Sequence, residues 1–114
     1  MSKQDDHVSM RHMLDYACEA VEMTRGRKRS DLDVDRMLQL ALTRLVEIVG
    51  EAATRVSMEA REEHPGIAWV QIIGLRNRLV HGYDAVDLDI LWDIIQDDMP
   101  PLIAELESFL EGEG

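Results

Sequence analysis

The chain has 114 residues, a formal net charge of −11 and a single cysteine, Cys18. One domain over residues 1–114 is expected, because domains usually have about 100–200 residues. A lone cysteine cannot form an internal disulfide, and the first residues show no apolar leader with a cleavage site, so we expect a soluble cytoplasmic protein. No apolar run approaches the roughly 20 residues that cross a membrane. The negative charge also disfavours broad non-specific binding of nucleic acid, which depends on neutralising phosphates.

Charge is unevenly distributed along the chain. Residues 84–114 contain no Lys or Arg, so every basic residue lies before them. The basic residues include a run from Arg25 to Arg29 and a pair at Arg76 and Arg78. A local cationic surface can therefore exist within an acidic protein. For the Arg25 to Arg29 run, the simpler interpretation is a solvated face.

Apolar residues recur every three or four positions through most of the chain, which is the spacing of one face of an α-helix. The first helix is predicted from His7 to about Thr24, and the second from about Asp33 to Val56. The second helix has apolar residues over about half of its circumference, so it must be buried on two sides or lie in a subunit interface. Gly50 within it costs about 1 kcal/mol relative to Ala, which predicts close approach of another backbone.

A third helix is predicted from Ile67 or Ala68 to about Val80, with Gly82 as its C-terminal cap. The fourth helix follows an N-cap at Asp87 or Asp89. Proline lacks an N–H donor, so Met99-Pro100-Pro101 should break or kink that helix before it resumes to the C-terminus. No useful alternation of period two occurs. The predicted fold is therefore all-α, a bundle of four to five mostly antiparallel helices.

Candidate catalytic residues cluster in the stretch Arg76-Asn77-Arg78-Leu79-Val80-His81-Gly82-Tyr83. An imidazole can move a proton near neutral pH, and a guanidinium can hold a phosphate while charge builds on its oxygens. These groups suit phosphodiester cleavage without a metal. If the helix continued, Asn77 and His81 would share a face, but Arg76 and His81 would be about 140° apart. They would then meet at one substrate only if the helix unwinds near Gly82 or a second subunit completes the site.

Simpler roles exist for the same residues, since Arg and Asn near a helix end often cap carbonyls and a lone His before Gly is often structural. No metal centre is expected, because Cys18, His7, His12 and His64 lack the spacing of ligand pairs. The sequence also has no Gly-rich phosphate loop, and no cofactor is expected.

The pattern Arg76-Asn77-x-x-x-His81-x-Tyr83 resembles the signature of the HepT-like ribonuclease toxins of the HEPN superfamily. The resemblance extends from Val34 to Leu110. Outside the motif, it includes Trp69 ahead of Ile73-Gly74-Leu75, the tripeptide Gly50-Glu51-Ala52 in the second helix, and Trp92 followed further on by a proline. It implies a HEPN-like homodimer in which two motifs meet across the interface and cleave RNA without metal.

By the same resemblance, Arg76 contacts the phosphate, Asn77 supports it and His81 transfers protons. A minimal nucleotidyltransferase antitoxin would be the partner, and it would adenylylate Tyr83 to block the site. Because the protein is acidic, we expect RNA to enter a narrow basic cleft containing Arg76, Arg78 as a substrate-binding residue, and either Arg55 or the Arg25 to Arg29 run.

Two other functions remain open. The chain could be a non-catalytic helical module that docks a nucleotidyltransferase and serves as its partner or substrate. The acidic surface and the wide apolar arc of the second helix are consistent with that role. It could also be a regulator that binds a nucleotide at Arg76 and His81 without turnover.

Overall fold

The computed structural model describes residues 3–81 and 85–113, and this part of the chain is almost entirely helical, which confirms the all-α prediction. A π-helical turn covers Ile94–Asp98. The elements in chain order are α1 (Lys3–Thr24), α2 (Asp31–Val34), α3 (Arg36–Thr54), α4 (Met58–Glu63), α5 (Trp69–Ile73), α6 (Leu75–Leu79), β1 (Val80–His81), β2 (Ala85–Val86), α7 (Leu88–Asp93) and α8 (Met99–Glu113).

The two long helices α1 and α3 pack along each other, and α8 packs against α1. α1 begins at Lys3, earlier than the predicted His7. Its first turn is held by the buried carboxylate of Asp6, which accepts hydrogen bonds from the backbone N–H and the hydroxyl of Ser57. Within the described residues, no helix is both long and apolar enough to span a bilayer.

α3 begins at Arg36 rather than at the predicted Asp33, because the side chain of Asp35 accepts a hydrogen bond from the Leu38 N–H and caps the helix there. The predicted burial on two sides is confirmed, since α1 packs on one side and α5 and α6 on another. The close approach at Gly50 is also confirmed. A Cβ atom at this position would lie 3.2 Å from the carbonyl oxygen of Ile72 in α5.

The predicted third helix is two short helices, α5 and α6, that meet at Gly74. α6 ends at Leu79, where the N–H of Val80 bonds back to the carbonyl of Arg76 and the backbone of Val80 becomes extended. The predicted end of the helix at about Val80 is therefore close to the observed one, but the prediction that Gly82 caps it is wrong, since the C-cap is Val80. Gly82 itself lies outside the described residues.

β1 and β2 form a two-residue antiparallel ladder in which Val80 lies opposite Val86 and His81 opposite Ala85. Immediately after it, the side chain of Asp87 accepts hydrogen bonds from the N–H groups of Asp89 and Ile90, so the predicted N-cap is Asp87.

The break predicted at the two prolines takes the form of the π-helical turn. In it, the N–H of Met99 bonds to the carbonyl of Ile94, one residue further back than in an α-helix. Pro100 and Pro101 then lie in the first turn of α8, where the missing N–H groups are best tolerated.

Candidate active site

The predicted catalytic stretch spans the junction of α6 and β1. Arg76, Asn77 and Arg78 are exposed on α6, while Leu79 is buried and anchors the end of the helix. His81 lies on β1. Asn77 and His81 do not share a helical face, because the helix does not continue and the chain is already extended at Val80.

Tyr83 lies outside the described residues, as does Gly82, so the modification predicted at the tyrosine stays a prediction.

Arg76 lines an open groove of about 490 Å³ between α3 and the two strands. The described residues that line it with Arg76 come from three regions: Arg36, Gln39, Leu40, Thr43 and Glu47 of α3; Val80, Ala85 and Val86 of the strands; and Leu88 of α7. The early end of α6 positions this site, because the extended chain at Val80 carries β1 along the edge of the groove that contains Arg76. We call it the motif groove.

Two arginines, Arg36 and Arg76, and one carboxylate, Glu47, belong to the described lining of the motif groove. Arg36 donates a hydrogen bond to the side-chain oxygen of Gln39 at 3.0 Å. This bond orients the guanidinium of Arg36 and leaves its positive charge uncompensated, because the amide of Gln39 is neutral. Among the described residues, no carboxylate lies within ion-pair distance of Arg76. Two guanidinium groups facing one groove suit an anionic ligand such as a phosphate, since each can offer paired N–H donors.

Arg36 was not predicted as part of the cleft. A signal for it exists in the sequence, because Arg36, Leu40, Thr43 and Glu47 recur at helical spacing on one face of the second predicted helix. Nothing in the sequence connects that face to Arg76. The contact between α3 and the strand region depends on the tertiary fold.

Arg78 and Asn77 are not among the described residues that line the motif groove. The guanidinium of Arg78 instead forms an ion pair with Asp98 in the π-helical turn. This pair ties α6 to the junction of α7 and α8.

The Arg25 to Arg29 run is occupied by neighbouring acids and does not line the motif groove. Arg25 pairs with Glu22 at 2.9 Å, and Arg27 lies 3.6 Å from Asp35. Arg29 pairs with two carboxylates, Asp33 at 3.0 Å and Asp89 at 2.7 Å. The simpler interpretation of the run, a solvated and ion-paired surface, therefore fits the structure. Arg55, the other suggested residue of the cleft, lies on a different groove.

An exposed apolar surface borders the motif groove. Val34 and Met37 are 86% and 82% exposed, and Leu40 and Val80, which also line the groove, are 54% and 38% exposed. We call these four residues the apolar border. Large exposed apolar side chains in neighbouring parts of a fold are typical of an interaction surface.

The described residues contain no group of three or more His, Cys, Asp or Glu side chains suited to holding a metal ion.

Comparison with known proteins identifies the family of the chain. The model of the Ribonuclease HepT-like family matches residues 13–109. "Putative RNase MJ1380" of Methanocaldococcus jannaschii is 33% identical over 107 residues, which cover 94% of this chain and 98% of the relative. "Probable ribonuclease HepT" of Thermococcus cleftensis is 32% identical over 104 residues, covering 88% of this chain and 94% of the relative. No solved structure gives a significant match. The chain thus belongs to the ribonuclease HepT-like family.

Proposed function

We propose that this protein is a metal-independent endoribonuclease toxin whose active site forms where two copies of the Arg76 to Tyr83 motif meet. The observation that supports it most directly is the position of Arg76. It lines an open groove that also contains Arg36, next to the strand on which His81 lies. The membership of the ribonuclease HepT-like family supports the same reaction.

In the proposed reaction, Arg76 binds the scissile phosphate and stabilises the charge that builds on its oxygens. His81 accepts the proton of the ribose 2′-hydroxyl, whose oxygen attacks phosphorus and forms a 2′,3′-cyclic phosphate. The 5′-oxygen leaves and receives a proton from the second His81. Asn77 orients one of these groups. One histidine then acts as base and the other as acid, which is why the site needs two copies.

The apolar border supports the homodimer. In a two-fold interface the same patch of each copy faces its equivalent, so one exposed apolar surface can be covered by a second copy of itself. Because Leu40 and Val80 belong both to the border and to the groove, an interface there would bring two motif grooves together.

The dimer is tested with Met37→Glu, which places a charge in the apolar border. We expect dissociation in analytical ultracentrifugation and loss of RNA cleavage. Val70→Glu is the matched control, since Val70 is also 82% exposed but lies on α5. A Met37→Glu protein that remains dimeric and active would exclude this surface as the interface.

Catalysis is tested by incubating purified protein with RNA in EDTA. Wild type should release products ending in a cyclic phosphate or a 3′-phosphate, and Arg76→Ala and His81→Ala should each be inactive and relieve growth arrest on expression. Arg25→Ala is the control, because Arg25 is an exposed arginine paired with Glu22 away from the groove. Equal cleavage by His81→Ala and wild type would refute the catalytic assignment.

Arg78 has a secondary part in this proposal. It can bind RNA only by exchanging the Asp98 carboxylate for a phosphate, so Arg78→Ala should lower RNA affinity less than Arg76→Ala does.

The regulation proposed is adenylylation of Tyr83 by a minimal nucleotidyltransferase antitoxin, since an adenylate group two residues from His81 would obstruct the site. Intact-protein mass spectrometry after incubation with the enzyme and ATP should show a gain of one or more adenylate groups. Tyr83→Phe should show none and should stay active in its presence.

A second candidate function is a non-catalytic module that only docks a nucleotidyltransferase. The acidic surface and the apolar border favour it, because both suit a protein partner. Stable co-purification with the enzyme, combined with no RNA cleavage by the unmodified dimer, would favour this function over the first.

A further inference from the structure

A second groove lies between α1 and α3, away from Arg76. Its volume is about 280 Å³, and its polar lining includes His12 and Tyr16 of α1 together with Arg44, Glu51 and Arg55 at the C-terminal half of α3. We call it the α1/α3 groove. The proposed reaction assigns no role to these residues.

The charge of the α1/α3 groove is positive in a protein of net charge −11. Its described lining has two arginines against the single carboxylate of Glu51. Arg44 forms ion pairs without hydrogen bonds with Glu47 at 3.8 Å and Glu51 at 3.9 Å. Within the described part of the chain, Arg55 has no ion-pair partner. Arg55 can therefore contact an anionic ligand directly, and Arg44 can do so by exchanging its two carboxylates for a phosphate.

Other grooves of the molecule have the opposite charge. The one beside the first turn of α1 contains Asp6, Glu59 and Glu63 against a single Lys3. The one between α5 and α8 has Asp97 and Asp98 in its lining. Phosphates are repelled from these two surfaces, whereas the motif groove and the α1/α3 groove attract them.

The α1/α3 groove also contains aromatic rings. His12 is exposed and Tyr16 is half-buried, one helical turn apart on α1, with ring centroids 6.3 Å apart. Surfaces that bind single-stranded nucleic acid usually combine two kinds of side chain. Arginines contact the phosphate backbone, and aromatic rings stack on the bases.

The two cationic grooves lie on adjacent faces of α3. Thr43 lines the motif groove and Arg44 lines the α1/α3 groove. Consecutive residues of a helix are about 100° apart around its axis. A strand leaving the motif groove can therefore cross the exposed surface of α3 at Arg44 and continue toward Arg55.

We infer that the α1/α3 groove binds the single-stranded RNA substrate outside the cleavage site, with Arg44 and Arg55 contacting phosphates and Tyr16 stacking on a base. This inference depends on the proposed ribonuclease function for the identity of the ligand. It gives an acidic protein a second cationic surface for RNA beside the motif groove.

The test measures binding separately from cleavage, by fluorescence anisotropy with 2′-O-methyl RNA, which lacks the attacking hydroxyl. Arg55→Ala should weaken binding of a long oligonucleotide and reduce its salt slope by about 0.7, the contribution of one phosphate in a single strand. Tyr16→Ala should weaken the same binding about ten-fold, within the range of base stacking, with little change in slope. Cleavage of a dinucleotide substrate should be unchanged in both variants.

Two controls separate RNA binding from folding. Tyr16→Phe keeps the ring and should bind like wild type, and Arg25→Ala removes an arginine that lies outside both grooves. Unchanged long-RNA affinity in Arg55→Ala and Tyr16→Ala, with wild type still cleaving RNA, would overturn the inference and leave the ribonuclease function intact. A change in oligomeric state without a change in affinity would overturn it too. Groove-dependent binding by a protein that never cleaves RNA would support the inference and refute the ribonuclease.

Discussion

Replacing Asp6 by Ala should destabilise the fold through one identifiable contact. Asp6 is 6% exposed, and its two carboxylate oxygens accept hydrogen bonds from the backbone N–H of Ser57 at 2.8 Å and from its hydroxyl at 2.7 Å. The Ser57 hydroxyl oxygen in turn accepts a bond from the N–H of Ala60 and caps α4. The contact thus joins the first turn of α1 to the start of α4.

The magnitude follows from these two bonds. A hydrogen bond to a charged group contributes about 1.5–3 kcal/mol. Ser57 is half-buried, so water partly replaces the lost acceptor, and we expect Asp6→Ala to cost about 2 kcal/mol rather than the sum. In a domain of this size that loss corresponds to a fall in Tm of about 8 °C. Ser57→Ala should cost about 1 kcal/mol through the lost cap, and the double variant should lose less than the two single variants together.

The effect should depend on pH in a defined direction. Burial raises the pKa of the Asp6 carboxyl, but the hydrogen bonds from the backbone and hydroxyl of Ser57, together with nearby positive charge, outweigh burial, so the pKa lies below its ordinary value. A carboxyl whose pKa is lower in the folded state stabilises the fold fully above its unfolded pKa. That stabilisation is lost as the pH falls through the folded value. The difference between wild type and Asp6→Ala should therefore be constant at neutral pH and should narrow in acid.

Urea denaturation followed by circular dichroism, repeated at decreasing pH, measures this difference. Glu19→Ala is the control, since Glu19 is an exposed acid on the same helix. A loss below about 0.5 kcal/mol at neutral pH, the scatter typical of surface substitutions, would refute the reasoning. So would a difference that stays the same in acid.

Five further substitutions test the packing and the helix ends by the same denaturation assay. Gly50→Ala should lower the free energy of unfolding by about 1 kcal/mol, because its Cβ would lie 3.2 Å from a backbone carbonyl of α5. Overpacking against rigid backbone costs up to about 3 kcal/mol, which exceeds the roughly 1 kcal/mol that the higher helix propensity of Ala supplies. A stabilised variant would contradict this. Arg61→Ala should lower the free energy of unfolding by about 1 kcal/mol, because the guanidinium of Arg61 donates to the carbonyls of Val56 at 3.0 Å and Thr54 at 3.1 Å. Arg61→Lys should recover only part of that loss, since an ammonium lacks the planar fork of donors. Leu42→Ala and Leu40→Ala are compared in the Met37→Glu background, in which the apolar border is no longer covered by a second copy. Leu42→Ala, at a side chain with 0% exposure, should lower the free energy of unfolding by about 2–5 kcal/mol, whereas Leu40→Ala on the exposed face should change it by less than about 0.5 kcal/mol. Similar losses for the two leucines would contradict the observed orientation of α3.

Much of the scaffold was predictable because its determinants are local. A helix depends on hydrogen bonds between residues four apart and on an apolar face that recurs at 3.6 residues. The long helices, the N-cap at Asp87 and the close approach at Gly50 all follow from such signals.

The candidate site was only partly predictable. Its residue types, an arginine and a histidine separated by four positions, were visible in the sequence, and the family assignment followed from them. Their arrangement was not. Helix α6 ends at Leu79 because Val80 pairs across a ladder with Val86, and sequence periodicity contains no information about that pairing.

The sequence by itself therefore determined the long helices, the buried face of each of them and the stretch in which the candidate catalytic residues are concentrated. Only the tertiary structure decided which charges meet. It places Arg36 beside Arg76 in one groove, pairs Arg78 with Asp98, and surrounds the Arg25 to Arg29 run with acids. The physical reason is that helix formation depends on neighbours in the chain, whereas the charge of a groove depends on side chains brought together from distant segments by packing.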